Sequence, residues 1–254
     1  MPIDLNSDMG ESYGAYNIGA DEEVLRWVTS ANVACGWHGG DPGVMRYTIQ
    51  RAKELGVRVG AHPGYPDLLG FGRRVMQITR QEARDYLLYQ IGALRGFVEA
   101  MGMTLQHVKP HGALYNAAVK DRELSLGIAE GVAEAGGGLI LVGLPGSELI
   151  RAGQEVGLRV ACEAFGDRAY TEDGTLVPRK VAGSLITDPN VVADRVVGFT
   201  RGTVKAITGR EIRIQADTIC LHGDTPDAGA IAQRVRERLE ASGITPQPLG
   251  EFVR

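Results

Sequence analysis

Apolar residues along this chain fall into two alternating rhythms. Short, Val/Ile/Leu/Ala-rich runs occupy Ile3–Asp8, Ser30–Cys35, Val57–His62, Leu105–Lys109, Leu139–Leu144, Leu158–Glu163 and Thr218–His222. Their length and β-branched content predict strands. Between them lie stretches of helical period: Asp21–Val28, Pro42–Leu55, Thr79–Met101, Asp121–Ala135, Gly146–Val156, Asp188–Ile207 and Pro226–Ala241. Several carry end signals. Asp41-Pro42 pairs an N-cap with proline in the first turn, and Gly56 stands where that helix must stop. Thr79-x-x-Glu82 has the capping-box spacing, with Gly102 beyond the far end.

Strict alternation of strand and helix predicts a parallel sheet. Seven such units could build a doubly wound open sheet or a closed barrel. No G-x-G-x-x-G follows the first strand, and no Walker A string occurs. These absences favour a seven-stranded (β/α) barrel. No Pro/Ser-rich linker, low-complexity segment or fixed-period repeat divides the chain, so residues 1–254 read as a single domain.

Composition narrows the function classes. The 254 residues carry a formal net charge of −4, with 23% charged and 44% hydrophobic positions. A nucleic-acid binder needs a basic face to displace phosphate counterions, and no such run is present. No apolar run approaches membrane-spanning length. The 3 Cys show no C-x-x-C spacing and read as buried thiols in a reducing compartment. With no basic-then-apolar opening segment, the expected location is cytoplasmic.

Candidate chemistry lies where the predicted strands end. Ligands of parallel α/β folds bind at the carboxyl ends of strands. Side chains two apart share a face. That rule groups Asp4, Asn6 and Asp8; Asn32 with His38 just beyond; Gly60 and His62; His107, Lys109 and His111; Glu163; and Cys220, His222 and Asp224. A parallel core is otherwise nearly all apolar, so polar groups gathered at one end must pair or bind something. Each has a plainer reading too. His107 lies mid-strand and reads as a hydrogen-bonded core histidine; Asp4 and Asn6 could serve only to cap loops. Asp8, Lys109, His111 and Glu163 are harder to explain without function, because lysines and acids are rarely buried unpaired. Arg73-Arg74, next to Gly70-Phe-Gly72, suits an anion or an ordinary solvated loop. Asp8, His38 and His62 are candidate ligands for a divalent metal, although no recognised ligand string is present. No G-x-S-x-G elbow supports a serine nucleophile.

The same residues lie in strings that resemble the LamB/YcsF family almost from end to end. These are Asp4-Leu-Asn-Ser-Asp-Met-Gly-Glu11, Asn32-Val-Ala-Cys-Gly-Trp-His-Gly-Gly-Asp41, Gly60-Ala-His-Pro-Gly-Tyr-Pro-Asp67, Gly70-Phe-Gly-Arg-Arg74, Val108-Lys-Pro-His-Gly-Ala-Leu-Tyr115, Glu163-Ala-Phe-Gly-Asp-Arg-Ala-Tyr170 and Leu221-His-Gly-Asp224. The resemblance implies a seven-stranded (β/α) barrel similar to polysaccharide deacetylases. It also implies an activity: ATP-dependent opening of 5-oxoproline to L-glutamate, with ATP and Mg2+ as co-substrate. A 5-oxoprolinase complex carries that activity, with this chain as its A component beside subunits B and C.

On that footing, Asp8 or Glu163 is expected as general base and Lys109 as the cation near developing negative charge. His38, His62, His111 and His222 would orient groups, move protons or bind a metal. Arg73, Arg74 or Arg168 would hold the substrate carboxylate or phosphate, with Asn6 and Asp224 also in the substrate region. Two other readings compete: a metal-dependent, deacetylase-like hydrolase acting without ATP, and a non-catalytic component that delivers substrate. Whether the chain forms a homo-oligomer, and whether ATP meets this chain or a partner, the sequence leaves open.

Overall fold

The structure, a computed structural model, describes residues 2–254. Seven parallel strands close a barrel: β1 (Asp4–Met9), β2 (Ser30–Ala34), β3 (Arg58–His62), β4 (His107–Val108), β5 (Ile140–Gly143), β6 (Arg159–Phe165) and β9 (Thr218–Cys220), which pairs with both β6 and β1. Closure leaves no barrel edge unpaired. The expected fold is therefore the observed one.

Helices α1 (Asp21–Val24), α2 (Pro42–Leu55), α3 (Arg80–Ala100), α5 (Arg122–Ala135), α6 (Glu148–Glu155), α7 (Pro189–Thr200) and α8 (Ala228–Ala241) follow the strands. Their ends obey the sequence signals. The Asp41 carboxylate accepts from the amides of Gly43 and Val44, and α2 stops at Gly56 with φ +72°. Thr79 and Glu82 form the reciprocal capping box of α3. Apolar faces such as Leu87, Ile91, Leu94 and Val98 of α3 pack into the continuous core.

Two elements differ from expectation. The helix anticipated to Ile207 ends at Thr200, because Gly202 turns with φ +79° and the chain reverses into an antiparallel hairpin, β7 (Thr203–Lys205) with β8 (Glu211–Arg213). The apolar period of α7 continues into β7 by chance of composition: Val204 is buried as a strand residue. The second difference is α4 (Gly112–Ala117), a short helix immediately after β4. It is too short to show a period, and it seats Tyr115 under the barrel mouth.

Inside the barrel, register aligns polar side chains in rows. Asp8 pairs with Asn32, and Asn32 with Gly60. Asn6 pairs with Cys220, and Asp4 with Thr218, which also pairs with Glu163. The missing Cβ at Gly60 makes room for an imidazole: a methyl there would lie 2.1 Å from His107 Nε2. Among the described residues no helix is long and apolar enough to cross a membrane.

Candidate active site

The interior polar rows form two layers. In the lower one, Asp4 accepts from Thr29 Oγ1 at 2.7 Å, Ser30 Oγ at 2.6 Å and the Thr218 hydroxyl. Asn6 donates to Thr218 Oγ1 at 2.7 Å and to Glu163 Oε1 at 3.1 Å, while Asn32 donates to Asn6 Oδ1 at 2.7 Å. His107 Nε2 meets Asn32 Oδ1 at 2.6 Å. Every member has a partner, which is what burial of polar groups requires. His107 is thus the core histidine its mid-strand position suggested. Burial pushes the Asp4 carboxyl up to about 6 despite its three hydroxyl donors. The same burial takes His107 down to about 3, helped by the Lys109 charge.

Lys109 is the hinge between the layers. Its ammonium, 3% exposed, lies 2.8 Å from Asp8 Oδ1, 2.8 Å from Glu163 Oε1 and 3.2 Å from Cys220 Sγ. Phe165 adds its ring face, 5.5 Å from Nζ. A buried ammonium is tolerated only where charge and hydrogen bonds compensate it. Here burial would lower the Lys109 pKa, but Asp8 above all, with Cys220 and Glu163, raises it well above the usual lysine value. Asp8 shows the reciprocal effect: burial raises it, yet His62 and Lys109 hold it well below the ordinary carboxylate range. Glu163 does not face the cavity. It is fully buried below Lys109, with Oε2 accepting from Tyr115 Oη at 2.7 Å. Both its oxygens are engaged, Oε1 by Lys109 and Asn6 and Oε2 by Tyr115, so the structure places this candidate base as a counter-ion of Lys109 and not in the cavity lining. Asn6 lies in the same buried layer and likewise does not line the cavity.

Above this floor, three imidazoles converge on Glu11. Its Oε1 is 3.0 Å from His111 Nδ1, 3.1 Å from His38 Nε2 and 3.8 Å from His62 Nε2. His62 Nε2 and His111 Nδ1 are themselves 3.0 Å apart. The His38 and His111 rings stack at 3.7 Å. Close backbone approach permits this: a Cβ on Gly72, whose φ is +61°, would sit 2.8 Å from atoms of both residues, and one on Gly64 would sit 2.7 Å from His38 Nδ1. Burial opposes ionisation of Glu11, but the facing His111 and His38 lower its pKa far below normal. Burial and the neighbouring His111 take His38 down to about 3. The side chains that could hold a metal are therefore Glu11, His38, His62 and His111, whose donor atoms lie within 4.8 Å of one another. Asp8, expected in that set, has one oxygen committed to Lys109 and Asn32; its other oxygen lies 3.3 Å from His62 Nε2.

These groups floor a cavity of about 490 Å³ that Asp8, Glu11, His62, Lys109, His111 and His222 all reach. Arg73, Arg168 and Arg179 line it as well. The buried Arg168 donates to the Val177 carbonyl at 2.8 Å, but its Nε has no partner. Arg73 pairs with Asp224 at 3.3 Å across the entrance. Arg74, expected beside Arg73 as an anion holder, does not line the cavity; its guanidinium is paired with Asp67 beside Gly70. His222 Nδ1 lies 2.8 and 2.9 Å from the two Asp167 oxygens. Burial would lower the His222 pKa, but Asp167 raises it. Glu11, Tyr115, Asp167 and Arg179 do not stand out from sequence alone. Glu11 carries a faint signal, three residues past Asp8, but the chain turns at Gly10 with φ +70° and parity no longer applies.

Known proteins share both the sequence pattern and the fold. The LamB/YcsF family model matches residues 3–254. The A component of 5-oxoprolinase from Thermococcus onnurineus is 58% identical over 255 residues, covering all of both chains. Among solved structures, a lactam utilization protein from Thermus thermophilus superposes with a TM-score of 0.93 at 49% identity, covering 97% of this chain and 99% of that one. A peptidoglycan N-acetylglucosamine deacetylase, at 10% identity and a TM-score of 0.50 over 99% of this chain and 87% of that one, shares the barrel alone.

Proposed function

The chain belongs to the LamB/YcsF family, and from that premise we propose that it is the A component of an ATP-dependent 5-oxoprolinase. The observation that carries the reading is the cavity itself. Its lining combines guanidinium groups with a buried ammonium, carboxylates and imidazoles. A small lactam acid needs both. Its carboxylate would be held by Arg168 and Arg179, and the unpartnered Arg168 Nε supplies a free donor. Its ring carbonyl would then face Lys109, where an ammonium stabilises charge developing on oxygen.

A five-membered lactam re-forms readily, so opening is driven by ATP. The carbonyl oxygen takes the γ-phosphoryl group and ADP leaves. Water adds to the ring carbon, and the C–N bond breaks to give a free amine and an acyl phosphate. A second water releases phosphate and L-glutamate. ATP, with Mg2+, is the co-substrate of the complex with subunits B and C.

His222 is the proton-transfer group in this scheme. Asp167 holds it through Nδ1 and raises its pKa, and the ring lines the cavity; a positioned imidazole is the side chain most often used for proton transfer. Asp8, ionised and bound to Lys109, orients water and the ammonium. The test is reconstitution with subunits B and C, following glutamate release from 5-oxoproline. ATP-dependent release that Asp8→Asn and His222→Gln abolish supports the reading; unchanged turnover in both variants removes these residues from the mechanism. The cluster around Glu11 favours one alternative, an ATP-independent hydrolase, which predicts release when ATP is omitted.

A further inference from the structure

We infer that Glu11, His38, His62 and His111 bind one divalent transition metal of the zinc class. The argument rests on which nitrogens carry hydrogen. His62 Nδ1 is 2.7 Å from the Lys109 carbonyl, and His111 Nε2 is 2.8 Å from the Phe71 carbonyl. A carbonyl only accepts, so each of those nitrogens donates. In the neutral rings, this leaves His62 Nε2 and His111 Nδ1 as bare lone pairs, and they face each other at 3.0 Å. Glu11 Oε1, another lone-pair donor, stands 3.0 Å from His111 Nδ1. His38 Nε2, on a ring stacked against His111, stands 3.1 Å from the same Glu11 oxygen, and its Nδ1 has no partner. With His62 Nε2, His111 Nδ1 and Glu11 Oε1 all bare, three electron-pair donors crowd one point and repel unless a cation lies among them.

Two features favour a metal as that cation. A proton joins two donors, whereas three converge here with His38 Nε2 beside them. The spacing also fits. Donors at ~2.0–2.1 Å in a tetrahedral site stand roughly 3.4 Å apart; the three separations from Glu11 and that between His62 and His111 run from 3.0 to 3.8 Å, and all four donor atoms lie within 4.8 Å of one another. The carbonyls of Lys109 and Phe71 are the outer hydrogen-bond acceptors that ligating histidines characteristically use to set tautomer and ring orientation. Three imidazoles and one carboxylate suit zinc, cobalt or nickel over magnesium or calcium, which prefer all-oxygen shells. Three of the four ligands, Glu11, His62 and His111, also line the cavity, so an ion there would be open to small molecules.

The inference stands apart from the lactam reading, because it is tested on the full chain alone by metal content and spectrum. Purified protein is stripped with a chelator and titrated with Co2+, then with Zn2+ as competitor. The expected result is one Co2+ per chain, the intense visible absorption of low-coordinate cobalt, and its loss on adding Zn2+. Glu11→Gln, close in size and still able to hydrogen-bond, should weaken uptake on the order of a hundredfold. His111→Ala should abolish the spectrum. Added Zn2+ should raise the thermal midpoint of the native chain and leave that of Glu11→Gln unmoved. Absence of stoichiometric uptake by the native chain overturns the inference in favour of a shared proton. So does equal uptake by native chain and Glu11→Gln, which would put the ion elsewhere.

Discussion

The barrel interior holds a lower polar layer built mainly on the strands, and an upper one stands at and just beyond their carboxyl ends; they solve the burial problem in opposite ways. In the lower layer, hydroxyls, amides and Asp4 satisfy one another, with no opening to solvent. The upper layer gathers formal charges and lone pairs around a cavity of about 490 Å³ and leaves donor sets incomplete. Residues 4 and 8 of β1 lie two rows apart, yet one is a structural acid and the other a candidate for chemistry. What separates them is the partner each finds: neutral hydroxyls for Asp4, and Lys109 with His62 for Asp8. A closed network specifies a fold, and an unfinished one leaves room for a ligand.

The largest break in this contrast should come from the hinge residue. Lys109→Met strands Asp8 and Glu163 without their counter-charge, and removing one partner of a buried pair destabilises by about 3–5 kcal/mol. Denaturant midpoints should show that loss, and adding Glu163→Gln should recover part of it. If Lys109→Met unfolds no earlier than the native chain, the hinge assignment fails.

The two layers should also respond to pH with opposite sign. The folded-state pKa of Asp4 is raised to about 6 from 3.8, so the folded chain holds that proton more tightly than the unfolded one. Its contribution is complete below the unfolded value and is lost as pH rises through about 6, a swing of about 3 kcal/mol. Asp8 is depressed, so its contribution is present above its unfolded value and lost in acid. Stability measured from about pH 4 to 7 should therefore have a steeper upward slope in Asp4→Asn than in the native chain. Identical slopes would contradict the placement of Asp4.

A smaller effect is expected from Thr218→Val, which deletes the hydroxyl shared by Asp4 and Asn6. Leaving those partners short costs about 1–3 kcal/mol. Turnover of the assembled complex should survive, since the lower layer does not meet the cavity; loss of turnover without loss of fold would erase the distinction between the layers. Smallest of all is Asp224→Asn. Its partner Arg73 is 48% exposed, and exposed pairs contribute about 0–1 kcal/mol. Thermal midpoints should barely move.

Much of this arrangement was legible in the chain. The strand ends at Asp8, His62 and Lys109, the capped helices and the absence of phosphate-binding loops led to the barrel and to its mouth, because periodicity and caps are local properties. Glu163 was found as a strand-end acid but not as a buried counter-ion, since its exposure depends on Lys109 and Tyr115 arriving from elsewhere. Arg74 looked equivalent to Arg73 until Asp67, in the same loop, claimed it. Glu11, Asp167 and Arg179 lie in turns and loops, where no period predicts direction.

By itself, then, the amino-acid order determined which segments become strands and helices and which end of the barrel would be polar, because backbone propensity and two-residue alternation act over a few bonds. Only the tertiary structure decided which acid faces ligand and which faces a lysine, and which imidazole nitrogens are left bare. Those outcomes depend on separations such as the 3.0 Å between Glu11 and His111, groups far apart in sequence, and closure of the barrel alone brings them together.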